Sequence, residues 1–332
     1  MTTRKAKNIA GAAKLIAKER GIAVDVVRQA IIDAIRTGNL DQGYKFLSFN
    51  GVLPVHLPDG TRIAVLPDIH VPAHDKKVLW AVIQALKDYK PHILILIGDV
   101  ADVFGLSAWP APPGVVRNLQ SELDQTRRLV DRLMAESGCH WCFYIMGNHE
   151  DRVWRYLTNV APHLANVVDP NTREPIVSIH GLLGYKPGDN VTFIYDTAER
   201  GGFGGAIVVN DDVEFHHGFI VRPNPGASPR ADGDRTGKST GTGHTHRVGF
   251  SVRETTVGQL VTMEFGHLVN PRHAYLAYAN TLNNWHQAIG FGTILGGKVH
   301  METLPIRQVV MSDGQLRHVF TFNGKVYVSS DR

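Results

Sequence analysis

Cysteine is nearly missing from this 332-residue chain, which has only Cys139 and Cys142, in the stretch Cys139-His140-Trp141-Cys142. No second pair exists to complete a structural zinc site. The motif precedes a strand-like run and does not open a helix after one, so a redox pair is disfavoured against two packed thiols in a reducing compartment. Long apolar runs are missing too. Stretches such as "HILILIG" are strand-sized, so nothing reads as a membrane span. No acidic residue occurs before Glu19, yet Lys14 and Lys18 break the apolar character of this start. It therefore does not read as a secretory signal, and a mitochondrial-type presequence is the lesser reading. The expectation is a cytoplasmic protein without a membrane partner. No internal repeat occurs.

What is present describes an ordinary globular protein, with 43% hydrophobic and 20% charged residues. The length suits one large domain with an appendage. A net charge of +4 and a pI near 9.0 modestly favour a phosphorylated or polyanionic partner, short of a dedicated nucleic-acid-binding composition. "AAKLIAKER" and "DVVRQAIIDAIR" carry apolar residues at helical spacing, with Gly21 between them and Gly38 after. Residues 1–45 thus read as a small helical lobe, in which a DNA-binding helix-turn-helix is disfavoured for want of a diagnostic pattern. Residues 50–332 form the main domain.

That domain opens with "VHLPDGTRIAVLPDIH", which reads as a hairpin turning at Asp59-Gly60. Strands and helices then alternate: "IAVL", "DKKVLWAVIQALKDY", "ILILI", "LQSELDQTRRLVDRLMAE" and "CFYIM". This order predicts at least part of a parallel sheet covered by helices. Beyond about residue 175, short strands alternate with Gly-rich loops. The carboxyl end reads as successive hairpins with turns at Asp313-Gly314 and Asn323-Gly324. Residues 222–243 read as a long loop, functional or mobile. Within it "GDRTGKST" imitates a phosphate-binding loop. Three residues, not four, separate Gly233 from Gly237, and no apolar strand precedes, so a lid is the better reading.

Five places share one design. "IAVLPDIH" ends in Asp68 and His70, "ILILIGDVAD" in Asp99 and Asp102, and "CFYIMGNHE" in Asn148 and His149. "VEFHHG" holds His216 and His217, and "TGHTHR" holds His244 and His246. In the first four, an apolar strand runs into His, Asp or Asn at its carboxyl end, the edge where open α/β sheets bind ligands. Carboxylates, imidazoles and an amide oxygen together suit divalent transition metals. Asp68 and His70, two apart, point to one side and can grip one ion. His244 and His246 repeat that spacing, and Asp99 has two oxygens with which to bridge. Paired ions hold ester oxygens and activate water for in-line displacement.

Asp68-x-His70, Gly98-Asp99-x-x-Asp102, Gly147-Asn148-His149-Glu150, His217-Gly218 and Gly243-His244-x-His246 resemble, in order, the signature blocks of the calcineurin-like metallophosphoesterase superfamily. The resemblance implies a four-layer αββα sandwich with two metals at one sheet edge. It implies Asp68, His70 and His246 on the first ion, Asn148, His217 and His244 on the second, and Asp99 between them. His149 would act on the transition state or the leaving oxygen, oriented by Asp102. His216 and His217 face opposite sides of a strand, and the His-Gly pattern favours His217. Glu150 and Asp151 read as the acidic first turn of the helix "EDRVWRYL".

Phosphoprotein phosphatases place an arginine after the second Asp of Gly-Asp-x-x-Asp, where this chain has Val103. "GNHEDRVWRYL", "GHTHR" and "NNWHQAIGFG" resemble metallophosphoesterases of bacteriophages and prophages, some described as DNA-repair-exonuclease-like. The resemblance implies a phosphodiesterase acting on DNA, RNA or a nucleotide through a metal-bridging hydroxide. The alternatives are a phosphomonoesterase on a small molecule or phosphoprotein, and a non-catalytic binding module. Arg152, Arg155 and Arg247 stand beside the motifs as contacts for further phosphates. Manganese is the expected metal, and iron, zinc and nickel fit the same ligands. Nothing in the sequence fixes the oligomeric state.

Overall fold

The computed structural model describes residues 48–330 apart from 109, 112, 166, 171–174, 187, 197–203, 257, 274–275 and 277–283. The helical lobe expected over residues 1–45 lies outside the described residues.

The described residues form three sheets. The first runs in the order β1 (Ser48–Asn50), β6 (Val191–Tyr195), β5 (Trp141–Ile145), β4 (Ile93–Ile97), β3 (Arg62–Leu66), β12 (Ala288–Leu295) and β13 (Lys298–Pro305). From β1 to β3 all neighbours are parallel, and β12 and β13 add an antiparallel edge. The second runs β10 (Val248–Thr255), β11 (Gly258–Phe265), β9 (Ser239–Thr242), β8 (Val213–His216), β7 (Ala206–Val209) and β2 (Val52–Val55). The third is the antiparallel set β14 (Arg307–Val310), β15 (Leu316–Phe322) and β16 (Lys325–Val328).

Continuous apolar strands need cover on both faces, and β3, β4 and β5 divide their side chains accordingly. Ala64, Leu66, Leu94, Leu96, Cys142 and Tyr144 pack under the helices. Ile63, Val65, Ile95, Ile97, Phe143 and Ile145 meet Ile207, Phe215, Met263 and Phe265 of the second sheet. The helices are α1 (Lys76–Tyr89), capped by Asp75, whose carboxylate accepts from the amides of Lys77 and Val78, and α2 (Leu119–Ser137), capped by Asn118. α3 (Asp151–Val160), α4 (Pro162–Ala165) and α5 (Ile179–Leu182) follow, and α6 (Ala227–Thr236) packs on β9 and β11. The layers are helices, sheet, sheet and helix, as the sequence resemblance implies.

Two expectations fail. The Asp59-Gly60 hairpin does not form, because β2 pairs with β7 in the second sheet while β3 pairs with β4 and β12 in the first. The Asp59 carboxylate instead accepts from the amides of Gly296 and Gly297 at 3.0 and 2.8 Å. Residues 222–243 are not one long loop either, since they contain α6 and β9. The Gly226 amide at the start of α6 donates to Glu264 at 2.6 Å, and Ser228 and Asp232 are buried, so this segment is docked. Gly233 lies inside α6, which removes the phosphate-loop imitation.

The carboxyl-terminal hairpins form as expected, with Asn323 and Gly324 both at positive φ in the second turn. They are held to the main body by Phe322 stacked on Phe291 at 4.3 Å and by Tyr327 and Lys325 on Asp88 at 2.9 and 3.0 Å. Both cysteines are free, and burial raises the pKa of each thiol, which disfavours a ready thiolate. Among the described residues no helix is long and apolar enough to cross a membrane.

Candidate metal centre

The five segments singled out in the sequence converge on one edge of the sandwich. Asp68 and His70 follow β3, Asp99 and Asp102 follow β4, and Asn148 and His149 follow β5, all in the first sheet. His217 follows β8, and His244 and His246 follow β9, in the second sheet. Asp68, His70, Asp99, His244 and His246 all have positive φ, between 40° and 68°. Non-glycine residues seldom adopt this conformation, and such strain concentrates at functional sites. Close approach requires glycine at several positions here, and a Cβ on Gly243 would lie 2.4 Å from Asp68 Oδ2. A Cβ on Gly147 would lie 2.1 Å from Asp99 Oδ1, and one on Gly98 would lie 2.3 Å from His217 Nδ1.

Among the described residues three groups of donor atoms result: Asp68, His70 and His246; His70, Asp99 and His149; and Asp99, His217 and His244. Within each, the atoms lie inside 4.8 Å of one another. His70 Nε2 is 3.1 Å from His246 Nε2, which is 3.3 Å from Asp68 Oδ1. On the other side, His217 Nε2 is 3.0 Å from Asn148 Oδ1 and 3.2 Å from His244 Nδ1. Asp99 stands between. Its Oδ1 accepts from the His149 amide at 2.9 Å, and its Oδ2 lies 3.6 Å from His70 Nε2 and 3.4 Å from His217 Nε2.

Bonds across the two sheets fix these side chains. His217 Nδ1 donates to the Ile97 carbonyl at 3.0 Å, which turns Nε2 toward the cluster. The His244 amide donates to both Asp68 oxygens at 3.0 Å. Asn148 and His244 are half-buried while the other members are buried, so the cluster opens to solvent beside these two.

Electrostatics sort the members. Burial pushes Asp68 up to about 6, and it brings His244 down to about 4 and His246 to about 3. Burial also opposes charge on His217, but Asp99 and Asp68 outweigh it and raise that imidazole to about 10. A cation taken up beside Asp99 must therefore displace a proton from His217. Mixed imidazole, carboxylate and amide donors held this close fit divalent transition-metal ions.

His149, a member of the second donor group, pairs with Asp102. His149 Nδ1 is 3.1 Å from the Asp102 carbonyl and 3.3 Å from its Oδ1, while Nε2 faces Asp99 Oδ2 at 3.8 Å. The other Asp102 oxygen is 3.5 Å from His70 Nδ1. Burial disfavours charge on both partners, yet Asp99 and Asp102 raise His149, and the histidines hold Asp102 well below the usual carboxylate range.

His216 points away from the cluster, stacking on Phe219 at 4.3 Å with Asp232 3.8 Å away. Arg152 donates from Nη1 to the Asp102 carbonyl and Oδ1 at 2.7 and 2.9 Å, leaving Nη2 3.3 Å from His149 Nε2. Arg155 bonds the Asn148 carbonyl at 3.0 Å, and Arg247 bonds the Arg222 carbonyl. Val103 is fully buried, with φ of 51°.

Residues 61–247 match the family model of calcineurin-like phosphoesterases. The chain belongs to this family. Two relatives are the Gene 54 proteins of Mycobacterium phages D29 and L5. The first is 28% identical over 265 residues, covering 74% of this chain and 93% of the relative. The second is 28% identical over 262 residues with the same coverage. Among solved structures, Vps29 of Chaetomium thermophilum aligns with a TM-score of 0.41 at 11% identity, over 82% of this chain and 97% of that one. Vps29 of Entamoeba histolytica complexed with Zn+2 aligns at 0.36 and 11%, over 78% and 98%.

In this phosphoesterase, three features of the site escaped sequence reasoning. Glu150 is fully buried and caps no helix amide; it accepts from Asp99, Ala101, Gly147 and Tyr144 instead. His267 lies 5.2 Å from His246, ring to ring, and Trp285 lies 4.4 Å from the same ring. A signal for His267 existed, since "VTMEFGH" is another apolar strand running into Gly-His.

Glu122 of α2 lies under the turn that follows Asp102, 2% exposed and against the backbone of Phe104 and Gly105. Burial, with a smaller push from Asp102, raises its carboxyl from 4.5 to about 7. The folded state thus holds this proton more tightly than the unfolded chain, so the group weakens the fold as pH rises through that window. Glu122→Gln is expected to raise stability by about 1 to 3 kcal/mol near pH 8 and to leave it unchanged near pH 4. Denaturant midpoints at the two pH values check this, and an equal effect at both would refute it.

Proposed function

We propose that the protein is a two-metal phosphodiesterase acting on phosphodiesters of nucleic acid or nucleotides, with manganese as its working metal. The observation that carries the reading is the pair of donor groups joined at Asp99 Oδ2, with the His149–Asp102 pair alongside. Asp68, His70 and His246 would hold one ion, Asn148, His217 and His244 the other, and Asp99 would serve both. Bound there, such ions would supply positive charge to the ester oxygens and acidify a water for in-line attack.

The remaining steps belong to the chain. His149, with Nδ1 tied to Asp102, presents Nε2 and gives a proton to the departing oxygen. Arg152 holds Asp102 with one nitrogen and offers the other beside His149 to a substrate oxygen. Arg247 stands at the Arg222 loop as a more distant contact for the next phosphate of a polymer. Val103, in place of the phosphate-clamping arginine of phosphoprotein phosphatases, favours a diester over a phosphoprotein. The pI near 9.0 suits a polyanion.

The test strips the protein of metal, restores manganese, and compares bis-p-nitrophenyl phosphate with p-nitrophenyl phosphate, with Asn148→Ala as control. Preference for the diester, lost in the variant, is the expected result. Preference for the monoester overturns it in favour of a phosphatase. Silence on both substrates with two ions bound favours a binding module.

A further inference from the structure

The Glu150 carboxylate holds together two loops that come from neighbouring strands. Its Oε2 accepts from the Asp99 amide at 3.1 Å and the Gly147 amide at 2.8 Å. Its Oε1 accepts from the Ala101 amide and the Tyr144 hydroxyl, both at 2.8 Å. One oxygen thus spans the loop that carries Asp99 and the loop that carries Asn148. The side chain is fully buried and makes no hydrogen bond to the amides of the helix that begins beside it.

We propose that Glu150 is a positioning residue: it sets the separation of these two loops, and with it the affinity of the cation site built from Asp99, Asn148, His217 and His244. The inference rests on the two-metal reading above. Four donors converge on two oxygens that can only accept, which is a task for an ionised carboxylate. An amide in its place has one accepting end, and its NH2 end would face two donors. At least one loop amide would then be buried without a partner, and the loop would shift to regain one. The other cation site depends less on this contact. Asp68, His70 and His246 come from the loops after β3 and β9, and none of the bonds to Glu150 involves them. Asp99 is the one ligand that both sites share, so the separation acts chiefly, though not solely, on the ion that also needs Asn148.

The experiment titrates manganese into metal-stripped wild type, Glu150→Gln and Tyr144→Phe, following free and bound ion by electron paramagnetic resonance. Thermal unfolding is recorded for each. Wild type is expected to take up two ions. In Glu150→Gln the first ion should bind nearly as in wild type, while the second weakens about 10- to 100-fold, the usual cost of losing an outer-shell partner. Tyr144→Phe removes one donor of four and should weaken the same ion severalfold, so it decides the matter if the glutamine variant does not fold. Two ions bound with wild-type affinities in a folded Glu150→Gln overturn the proposal, as does an unchanged second affinity in Tyr144→Phe when only that variant folds. Equal weakening of both ions also overturns it, because a general loosening of the fold would do that. Fewer than two ions on wild type overturns the two-metal reading itself and this inference with it.

Discussion

Asp99→Asn is expected to lose at least one cation and to lower kcat by on the order of 10³-fold or more, the rate equivalent of several kcal/mol of lost charge stabilisation. The substitution is nearly isosteric. The amide carbonyl can keep the bond that Asp99 Oδ1 makes with the His149 amide at 2.9 Å. What it cannot keep is the oxygen that faces both donor groups, 3.6 Å from His70 and 3.4 Å from His217. An NH2 group there points donors at the nitrogens that should hold metal, and removes the charge that counters His217. Metal content by atomic emission and turnover of bis-p-nitrophenyl phosphate check the result together. Two retained ions with near-wild-type turnover would remove Asp99 from the centre of the mechanism.

A different signature is expected of His149→Gln. No ion should be lost, while kcat falls about 10²- to 10⁴-fold, the range for losing a positioned proton donor. The loss should be greatest for alkyl diesters, whose departing oxygen needs a proton, and small for p-nitrophenyl esters, whose leaving group departs as a stable anion. The pH profile gives a second check. Asp99 and Asp102 overcome burial to raise the His149 pKa in the metal-free protein. Cations on Asp99 offset the first of these, and activity is expected to fall as pH rises through the value that Asp102 sustains in the loaded enzyme. In the variant this alkaline descent should vanish. An equal loss for both leaving groups, with the descent intact, would refute the assignment.

Much of this was readable in the chain because strand ends advertise themselves. The apolar runs before Asp68, Asp99 and Asn148 form the parallel strands β3, β4 and β5, and their polar successors meet at one edge. The Asp59-Gly60 turn misled, because a turn signal is local while the choice of sheet depends on which strand faces become covered. α6 was missed for a related reason. Its composition is that of a loop, and its order comes from distant partners such as Glu264 at the Gly226 amide. Glu150 reads correctly as a helix start, but the sequence says nothing about its carboxylate turning away from that helix toward Asp99 and Gly147. Arg152 is similar: its position beside the site was legible, its attachment to Asp102 was not.

The donors come from both leaves of the sandwich, with Asp68, His70, Asp99 and Asn148 on one and His217, His244 and His246 on the other. The gap they span is set by the apolar filling between the leaves, Ile95 and Phe143 against Phe215 and Phe265. That filling is thereby a gauge block for the chemistry. Removing a methyl group there leaves a cavity into which the leaves relax only partly, while adding one forces them to shift. A core position that would be free to drift in a purely structural sandwich is here tied to the spacing of the Asp and His side chains at its edge.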